Sequence, residues 1–588
     1  MSRAAVSPAG ADALRQDDGF IRAAYRRALI PGMLSILSGN LNILADGVLV
    51  GQKLGSGGLA AINLCVPVYL FLCVVGSLLV SGACIQASKA IGRGDGERGT
   101  LLCRTAVWSC AAASLLITAL GLLFLNPLAA AICPDPALRG MVTDYIRVTL
   151  IGALPKILLY VPFWFLRLDG RNSLVTVCMT VMGAGNILLD VWFIFGLNLG
   201  VAGAAWASVL ATAAACALGL FWLCGRGSGF PLGRGFVRDG KTWGGILRDG
   251  SPSALNNLLQ SVRLLLVNGL LLSHGGEELV AVFSVLNCVS AFSLCVIDGA
   301  PQAGSAMMGI YCGERDNGSI RLLFRRELVS GTGYLLLFAA ITLACSGAIQ
   351  GAYALPEPLL FPLLLLAAGY LPALLLGTLI AYYNVSGHAA LASLLIALRA
   401  LVFAVASLWL LLGLGASPWW FFPLSEALTL CVWLLCAAFG RRAGRCLSPF
   451  LFLDLTFEEE GRVLNFSVDG SDGSICSASE RITEFCAQNG MSPKQVMRIS
   501  LAIEELLTVI VARNGRPIPF DIKAFALPDH MGIRVRYGGV DFDPFSRRSY
   551  PADSGGFDEN MGVRMIAGMA DRVVYQRTFG ASSLQIFV

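Results

Sequence analysis

Two aspartates lie inside stretches of sequence that are long and apolar enough to cross a membrane. Asp46 lies within GNLNILADGVLVG, and Asp190 ends the stretch NILLD, four residues after Asn186. Residues four apart share one face of a helix, so Asn186 and Asp190 are expected to project together. Each aspartate follows a basic residue, Arg27 or Arg171, by roughly 28 Å of helix at about 1.5 Å per residue. The two carboxylates are therefore predicted at one depth, in the outer half of the membrane.

These side chains offer hard oxygen ligands to a cation. Ser208, on the next apolar run, is expected at a comparable depth. Carboxylate, amide and hydroxyl oxygens suit a proton or a small hard cation better than a soft metal. A charged group at this depth costs at least about 2.5 kcal/mol, which favours a functional site over simple hydrogen bonding between helices. We predict that Asp46, Asn186, Asp190 and Ser208 bind a coupling ion, Na⁺ or H⁺, and no further metal.

The second half of the chain carries a different set of polar residues. Aligning LADG with LVNG places Asn268 at the position of Asp46. Further along, Asp190 corresponds to about Ser407, and Ser208 corresponds to the neighbourhood of Glu426. We expect a weaker polar cluster there. For Glu426, a second proton carrier, a substrate contact and a structural role all stay open. Arg263 and Asp298 are further intramembrane charges, expected to pair or to take part in substrate binding or gating.

The elements that must position these residues are membrane helices. Of 588 residues, 56% are hydrophobic and 14% are charged, and the mean hydropathy is +0.70, which is typical of a polytopic membrane protein. A membrane span needs about 20 apolar helical residues. Twelve such runs begin near residues 28, 59, 101, 140, 173, 201, 246, 279, 325, 359, 389 and 418.

Composition also excludes some classes of function. The 18 cysteines are scattered among apolar residues without the spacing of a metal site, and are expected to serve as small packing residues. The net charge of +5 is modest for this length, so no nucleic-acid partner is expected. Residues 1–27 are polar and basic and lack a cleavage site, so no cleaved signal peptide is expected.

Basic residues gather in alternate connections between the runs, which places those connections and both termini in the cytoplasm. The stretch 58–98 recurs as 278–319, with Gly82-Ala83 and Gly92 answered by Gly299-Ala300 and Gly309. Two six-helix repeats of this kind are typical of secondary transporters. The predicted parts are a cytoplasmic segment (1–27), a first lobe (28–224), a cytoplasmic loop (225–245), a second lobe (246–445) and a C-terminal domain (452–588).

Several motifs in the membrane part resemble one family. IPGMLSILSGNLNILADGVLVGQKLG, LAAINLCVP, GRGD, NILLDVWFIFGLNLGVAGAAWAS and SPSALNNLL occur in this order within roughly residues 20–445, and together they resemble the MATE family of multidrug and toxic-compound exporters. The resemblance implies a V-shaped pair of six-helix bundles and alternating access. It also implies export of organic cations or amphiphiles driven by inward Na⁺ or H⁺. The family's first-lobe cation site maps onto Asp46, Asn186, Asp190 and Ser208, where the family often has threonine at the last position.

The C-terminal domain is predicted to be cytoplasmic and α/β, as an α+β sandwich. We expect a strand pair near 454–468, helices near 475–489 and 493–513, strands at about 520–526 and 532–537, a helix near 560–570 and two final strands. SPKQ gives the second helix a strong start. Ser492 is its cap, Pro493 is the first helical residue, and Gln495 completes a capping box.

This domain resembles the histidine-kinase-like ATPase domains of the anti-sigma-factor kinase type, through ISLAIEELL, VRYGGVDFDPF and ENMGVRMIAGMADRVVYQRTFG. In that family Glu505 would match the catalytic base. Val509 stands where the family has its Mg²⁺-binding Asn, and Tyr537 where it has an adenine-reading Asp, two residues before Gly539. Valine cannot coordinate Mg²⁺, so the resemblance predicts a degenerate module. Nucleotide binding without metal, binding of a cytoplasmic regulatory protein, and a purely structural role stay open.

Together these features predict a multi-pass protein of the bacterial cytoplasmic (inner) membrane, a secondary transporter rather than an enzyme. It would export small organic, cationic or amphiphilic compounds by cation-coupled antiport, with the tail as a regulatory module. One alternative is a flippase for a lipid-linked substrate, which a central cavity rich in arginine would favour. Another is a membrane-anchored signalling protein whose output is the tail. The sequence leaves open the substrate, the choice between Na⁺ and H⁺, and the oligomeric state.

Overall fold

The structure is a computed structural model that describes most of the chain. The described residues are 19–133, 136–225, 228–231, 233, 235–353, 358–442, 451–453, 462–526, 531–540, 542–545, 563, 568, 570–578 and 581–588. Within helices, the side chains of residues 43–48 and a few others lie outside this description. The chain forms two compact units. A helical unit comprises residues 25–315 and 323–452, and a second unit comprises residues 316–322, 453–588 and the amino-terminal residues up to Ala24.

The first half of the helical unit follows the predicted apolar runs. Its opening helix, α1 (Gly19–Gly92), is interrupted at Gly55, whose φ of 64° carries little steric penalty for glycine. The helices that follow are α2 (Gly96–Leu123), α3 (Leu125–Ile132), α4 (Pro136–Ile151), α5 (Ala153–Leu158), α6 (Tyr160–Leu168), α7 (Asn172–Asp190) and α8 (Gly200–Cys224).

The second half begins in the same way. Helix α9 (Gly240–Ile297) is interrupted at Gly276, also at a φ of 64°. It is followed by α10 (Gly299–Gly313), α11 (Asn317–Ala344), α12 (Ser346–Ala352), α13 (Leu360–Ala368), α14 (Tyr370–Val385), α15 (Ala389–Ala397), α16 (Phe403–Gly413), a 3₁₀ turn (Pro418–Trp420) and α17 (Phe421–Arg442).

The loops after the long opening helices set the register of the internal repeat. Helix α1 ends at Gly92, and Asp95 then caps α2 by accepting a hydrogen bond from a backbone N–H. Helix α10 ends at Gly313, and Asp316 accepts a backbone hydrogen bond at the start of α11 in the same way. The predicted pairings of Gly82-Ala83 with Gly299-Ala300 and of Gly92 with Gly309 are therefore both displaced by one helical turn, because the helix ends and their capping aspartates fix the alignment.

Ten helices in the described part of the chain are long and apolar enough to cross a membrane, or eleven if the bent pair Leu138–Ile151 and Ala153–Leu168 forms one span. These eleven coincide with predicted runs. The remaining run, near residue 28, lies in α1, where the side chains of residues 43–48 are outside the described part. The total of twelve spans therefore stays a prediction.

One helix in each half changes to a π-helical turn. Helix α7 passes at Asp190 into the turn Val191–Gly196, and α15 passes into Leu398–Val402, which contains Arg399, before α16. Such turns are rare and occur frequently at functional sites. They place one charged residue in each lobe at a local irregularity of the helix.

The described part of the C-terminal domain contains a five-stranded antiparallel sheet and two long helices. In chain order it contains β1 (Val463–Val468), α18 (Asp472–Gln488), α19 (Pro493–Asn514), β2 (Phe520–Ala526), β3 (Met531–Tyr537), β4 (Arg572–Thr578) and β5 (Ala581–Phe587). The strand order is β1-β2-β3-β5-β4. Apolar side chains of both helices share one core with those of the central strands, as in Ile503, Leu507, Ile522 and Val535. The predicted strands at 454–461 and most of the helix at 560–570 lie outside the described residues.

The start of α19 matches its sequence prediction. Ser492 and Gln495 form the reciprocal capping box, and Pro493 is the first helical residue. The helix ends at Gly515, which adopts a left-handed φ of 66°. Local sequence signals are therefore sufficient to position this helix against the sheet.

Candidate functional site

Asn186 and Asp190 form a buried polar pair at the end of α7. Asn186 Nδ2 donates a hydrogen bond to Asp190 Oδ2 over 2.9 Å, and the two residues are 1% and 0% exposed. Asn186 Oδ1 has no hydrogen-bond partner among the described residues. A buried acceptor without a donor is unfavourable, but a bound cation would satisfy it. The pair thus provides oxygen ligands at the position that the sequence predicts.

Helix α1 packs against α7 through Asn42, which the sequence analysis missed. A Cβ added at Gly183 of α7 would lie 3.6 Å from Asn42 Cβ and 3.4 Å from the Ser38 carbonyl oxygen. Asn42 Oδ1 is also buried without a hydrogen-bond partner among the described residues. A signal was present, because NILAD, which begins at Asn42, repeats the pattern of NILLD in α7.

The other predicted ligands of this lobe are less fully placed. Asp46 lies in α1, one turn after Asn42, but its side chain is outside the described part. Ser208 is half-buried on α8, and its carbonyl accepts a hydrogen bond from Thr212 Oγ1 at 2.6 Å. Among the described residues no hydrogen bond joins the Ser208 hydroxyl to Asn186, so the structure brings the amide and carboxylate of α7 together without the serine.

The polar residues of the second lobe have different partners from those expected. Ser407 on α16 is 3% exposed, and its hydroxyl donates to the Phe403 carbonyl of its own helix at 2.5 Å. Asn268 on α9 is half-buried, and its Oδ1 has no hydrogen-bond partner in the described part of the chain. Glu426 on α17 instead accepts a hydrogen bond from Arg399 Nε at 2.9 Å.

Four charged residues form one electrostatic group in the second lobe. Arg263 of α9 and Asp298, which precedes α10, interact with the Arg399–Glu426 pair. Arg263 and Asp298, which were expected to pair, interact with each other and also with Arg399 and Glu426. Two arginines and two acids balance in formal charge, so the half-buried Asp298 and Glu426 have guanidinium groups of the same lobe beside them.

A cavity of about 440 Å³ lies between the lobes within the helical unit. Its volume falls in the range of small-molecule sites. Its wall includes amides from both lobes and two arginines. Polar lining residues include Asn40, Arg167, Asn257, Asp298, Asn384 and Arg399. Tyr160, Phe163 and Trp164 add aromatic surface.

Arg167 of α6 is the most deeply buried cation of this cavity. It is 3% exposed, its Nη2 donates to Ser35 Oγ at 2.8 Å, and its guanidinium lies 4.0 Å from the centroid of the Phe163 ring. Nε and Nη1 have no hydrogen-bond partner among the described residues. Arg167 is not among the predicted site residues, because sequence position does not show which way an arginine at a helix end projects.

The lobes meet at the end of α1 that is rich in basic residues. Asp249 of α9 is fully buried, and it accepts hydrogen bonds from Lys89 Nζ at 3.0 Å and from Gln86 Nε2 at 2.7 Å. Nearby, a Cβ at Gly82 would meet the Ile246 carbonyl oxygen. This contact joins the second part of α1 to α9.

Comparison with known proteins identifies the helical unit. A family model described as MatE matches residues 31–192 and 252–416, more than half of the chain. The chain belongs to the MatE family. Proteins of this family are secondary transporters rather than enzymes.

Two relatives of this MatE chain are named multidrug export proteins. Multidrug export protein MepA of Staphylococcus aureus (strain bovine RF122 / ET3-1) is 25% identical over 272 residues, which are 46% of this chain and 59% of the relative. MepA of Staphylococcus haemolyticus (strain JCSC1435) is 25% identical over 254 residues, 43% of this chain and 55% of the relative. The chain therefore spans less than two thirds of the length of these relatives.

Solved MATE structures share the fold. A structure of MATE in complex with MaL6 superposes with a TM-score of 0.67 at 23% identity, over 71% of this chain and 96% of that one. An outward-facing multidrug resistance MATE transporter of the MOP superfamily superposes with a TM-score of 0.67 at 22% sequence identity, over 73% of this chain and 99% of that one. A MOP superfamily transporter from Pyrococcus furiosus superposes with a TM-score of 0.65 at 23% sequence identity, over 72% of this chain and 98% of that one. Its binding pocket is described as having reverse polarity.

In the C-terminal domain of this MatE protein, two of the residues predicted for a degenerate nucleotide site, Val509 and Tyr537, belong to the packed core. Val509 of α19 packs against the apolar core. Tyr537 is fully buried, and its hydroxyl donates to the Phe542 carbonyl at 2.7 Å. Glu505 is half-buried on α19. Gly539 has a φ of 101°, and an added Cβ there would clash with the Asn514 side chain.

Proposed function

We propose that this MatE protein exports small organic compounds from a bacterial cell by ion-coupled alternating access in the cytoplasmic membrane. The observation that carries the proposal is the buried Asn186–Asp190 pair of α7, which packs near the Asn42 face of α1. The names of the MepA relatives support export of drug-like compounds. The alternate basic connections support a cytoplasmic location of both termini.

The proposed coupling depends on the charge of the first lobe. A proton or Na⁺ that enters from outside would neutralise Asp190, with Asp46 and Ser208 as further predicted ligands. Asn186 Oδ1 would complete the oxygen shell. Neutralisation lowers the cost of keeping the carboxylate away from water, so α1 and α7 can pack differently in the loaded and empty states. That difference gives the two lobes two stable arrangements.

The coupling is tested by ethidium flux in proteoliposomes under an imposed Na⁺ or proton gradient. Asp190→Asn and Asp46→Asn are expected to reduce gradient-driven flux to that of protein-free vesicles. Asp144→Asn is the matched control, because Asp144 is an exposed acid paired with Arg147 on α4. Undiminished flux through Asp190→Asn would rule out the proposed ion site, and the gradient that drives wild-type flux identifies the ion.

A second candidate is a flippase for a lipid-linked anionic substrate. The observation that favours it is Arg167, whose buried guanidinium faces the cavity with two nitrogens that no described residue satisfies. If the cargo is cationic, Arg167→Gln should leave ethidium flux intact or increase it. A flippase would instead lose movement of a fluorescent phospholipid with an anionic headgroup, and would move ethidium in neither form.

For the C-terminal domain, we propose a degenerate ATPase-like module that has lost phosphotransfer and regulates the transporter. Its support is the packing of Val509 in the core and the buried hydrogen bond of Tyr537, because neither side chain can replace the ligand for Mg²⁺ or adenine. We expect the purified full chain to hydrolyse no Mg-ATP above the rate of its Glu505→Ala variant. Hydrolysis that disappears in Glu505→Ala would contradict this proposal.

A further inference from the structure

The compact unit that contains the C-terminal domain also contains a short segment from the middle of the chain. Residues Asp316–Leu322 belong to this unit together with Leu453–Val588. The segment begins in the loop after α10 and continues without interruption into α11, a candidate membrane span. A domain at the end of the sequence is therefore packed onto the start of a membrane helix.

Asp316 is the centre of this packing. It is fully buried, and Arg534 Nη1 of β3 donates a hydrogen bond to Asp316 Oδ2 at 2.8 Å. Asn465 Nδ2 of β1 donates to Oδ1 at 3.1 Å. Ser319 adds its hydroxyl at 2.7 Å and its backbone N–H at 3.1 Å. Four donors thus satisfy one carboxylate, and two of them come from the C-terminal sheet.

The sheet face around Arg534 is polar and yet buried. Strands β2 and β3 place Asp521, Lys523, Arg534 and Arg536 on this face, and each is at most 5% exposed. Arg534 Nη2 and Arg536 Nη1 both donate to Asp521, at 2.9 Å and 3.2 Å. The carboxylate of Asp316 lies close enough to interact with Arg534, Lys523 and Arg536, so the charge of the loop is complementary to the cations of this face.

The equivalent loop of the first lobe provides an internal comparison. Asp95 caps α2 through a hydrogen bond from the Arg98 N–H at 3.0 Å, just as Asp316 caps α11. Asp95 is partly exposed and belongs to the helical unit. Capping a helix therefore requires neither burial nor an arginine from the tail, and Asp316 has a second role that Asp95 lacks.

We propose that the polar face of the C-terminal sheet is a docking surface for the chain's own α10–α11 loop, and that docking restrains the start of α11 during transport. The partner is recognised by the Asp316 carboxylate, held between Arg534 and Asn465. Movement of α11 must either carry the domain with it or break a buried ion pair, so the docked domain slows the transport cycle. The docking part stands by itself, and the effect on transport rests on the proposed function.

Docking is tested by hydrogen exchange in the full-length protein. Asp316→Asn and Arg534→Gln are each expected to increase amide exchange at least tenfold in residues 316–322 and in β3. The double variant should exchange no faster than the faster single variant, because both changes remove one interaction. Asp95→Asn, the matched control, should leave these segments unchanged. Exchange in Asp316→Asn that equals that of Asp95→Asn, or additive effects in the double variant, would overturn docking.

The restraint is tested by gradient-driven ethidium flux with the same proteins. Asp316→Asn should transport at least twice as fast as wild type, while Asp95→Asn matches wild type. Asp316→Glu retains the charge and should restore slow transport in part, which separates loss of the ion pair from misfolding of the loop. Faster exchange without faster transport would overturn the restraint. If wild type shows no gradient-driven flux, the proposed function fails, and the exchange result still decides docking.

Discussion

Asp190 in the first lobe and Glu426 in the second are held in different ways. In the first lobe, Asp190 accepts a hydrogen bond from the neutral amide of Asn186, and Asn186 Oδ1 has no donor among the described residues. In the second lobe, Glu426 accepts from the guanidinium of Arg399. Asp190 immediately precedes a π-helical turn, and Arg399 lies within another. One helical scaffold therefore carries two different arrangements of charge.

This difference separates an exchangeable charge from a fixed one. An acid held by an amide can gain a proton or a cation and lose it again at little structural cost. An acid held by arginine already has its counter-charge, and its loss leaves a buried cation. The proposed ion exchange would therefore use Asp190 of the first lobe, whereas Arg399 of the second lobe contributes a paired charge to the wall of the cavity.

The largest expected effect is on stability in the second lobe. Glu426→Gln should destabilise the protein by about 3 kcal/mol, because the half-buried Arg399 loses its hydrogen-bonded acid and keeps only its interaction with Asp298. Asp190→Asn should cost no more than about 1 kcal/mol, since asparagine still accepts from Asn186. Thermal unfolding of the purified protein in detergent measures both changes. The double variant Arg399→Gln/Glu426→Gln should recover most of the loss, and equal melting temperatures for Glu426→Gln and Asp190→Asn would remove the distinction between the lobes.

The next effect contrasts the loops that follow α1 and α10. Burial alone raises the pKa of Asp316, but Arg534, Lys523 and Arg536 lower the pKa well below its usual range. A carboxylate with a lowered pKa stabilises the folded protein above its unfolded pKa, about 3.9, and this stabilisation is lost as the pH falls toward the folded pKa. Asp316→Asn should therefore cost about 2–3 kcal/mol at pH 7, somewhat reduced because Arg534 keeps Asp521.

The measurement is exchange protection of β3 in wild type and Asp316→Asn between pH 7 and pH 3, corrected for the intrinsic exchange rate. The difference in protection between the two proteins should narrow below about pH 4, because Asp316 becomes protonated in the unfolded chain while it stays ionised in the folded one. Asp95→Asn should show no such gap in β3 at any pH. A gap that stays constant down to pH 3 would mean that the charge of Asp316 does not stabilise the domain.

Local signals in the sequence were sufficient for much of the fold. Hydropathy located the eleven spans, and the spacing of Asn186 and Asp190 predicted their contact, because residues four apart in a helix must be neighbours. The capping box at Ser492 likewise depends only on adjacent residues. Asn42 could have been found too, since NILAD and NILLD are visible side by side.

Contacts between distant segments were not accessible in this way. Arg399 and Glu426 lie on different helices, and Asp316 meets Arg534 across most of the second half of the chain. Ser407 illustrates a further limit. Its hydroxyl was expected to face a polar cluster, but a serine in a helix can bond the carbonyl one turn earlier, here Phe403. Such competition between local and tertiary hydrogen bonds depends on side-chain rotamers that a sequence does not specify.

The smallest expected effect tests where the lobes are alike. At their crossing, a Cβ on Gly82 would meet the Ile246 carbonyl oxygen, and one on Gly250 would meet the Leu78 carbonyl oxygen. Both additions would push backbone away, and overpacking of this kind typically costs about 1–3 kcal/mol. Gly82→Ala and Gly250→Ala should therefore lower the melting temperature by similar amounts.

Gly244→Ala is the control for this crossing, because a Cβ at Gly244 meets nothing within 4 Å, and alanine also favours the helix. Its melting temperature should equal or exceed that of wild type. Equal losses for Gly82→Ala and Gly250→Ala would show that the close approach of α1 and α9 is shared by the lobes, so their functional difference lies in charge. If only one of the two variants has a lower melting temperature, the backbone contact between α1 and α9 is also asymmetric. The lobes would then differ in packing at this crossing as well as in charge.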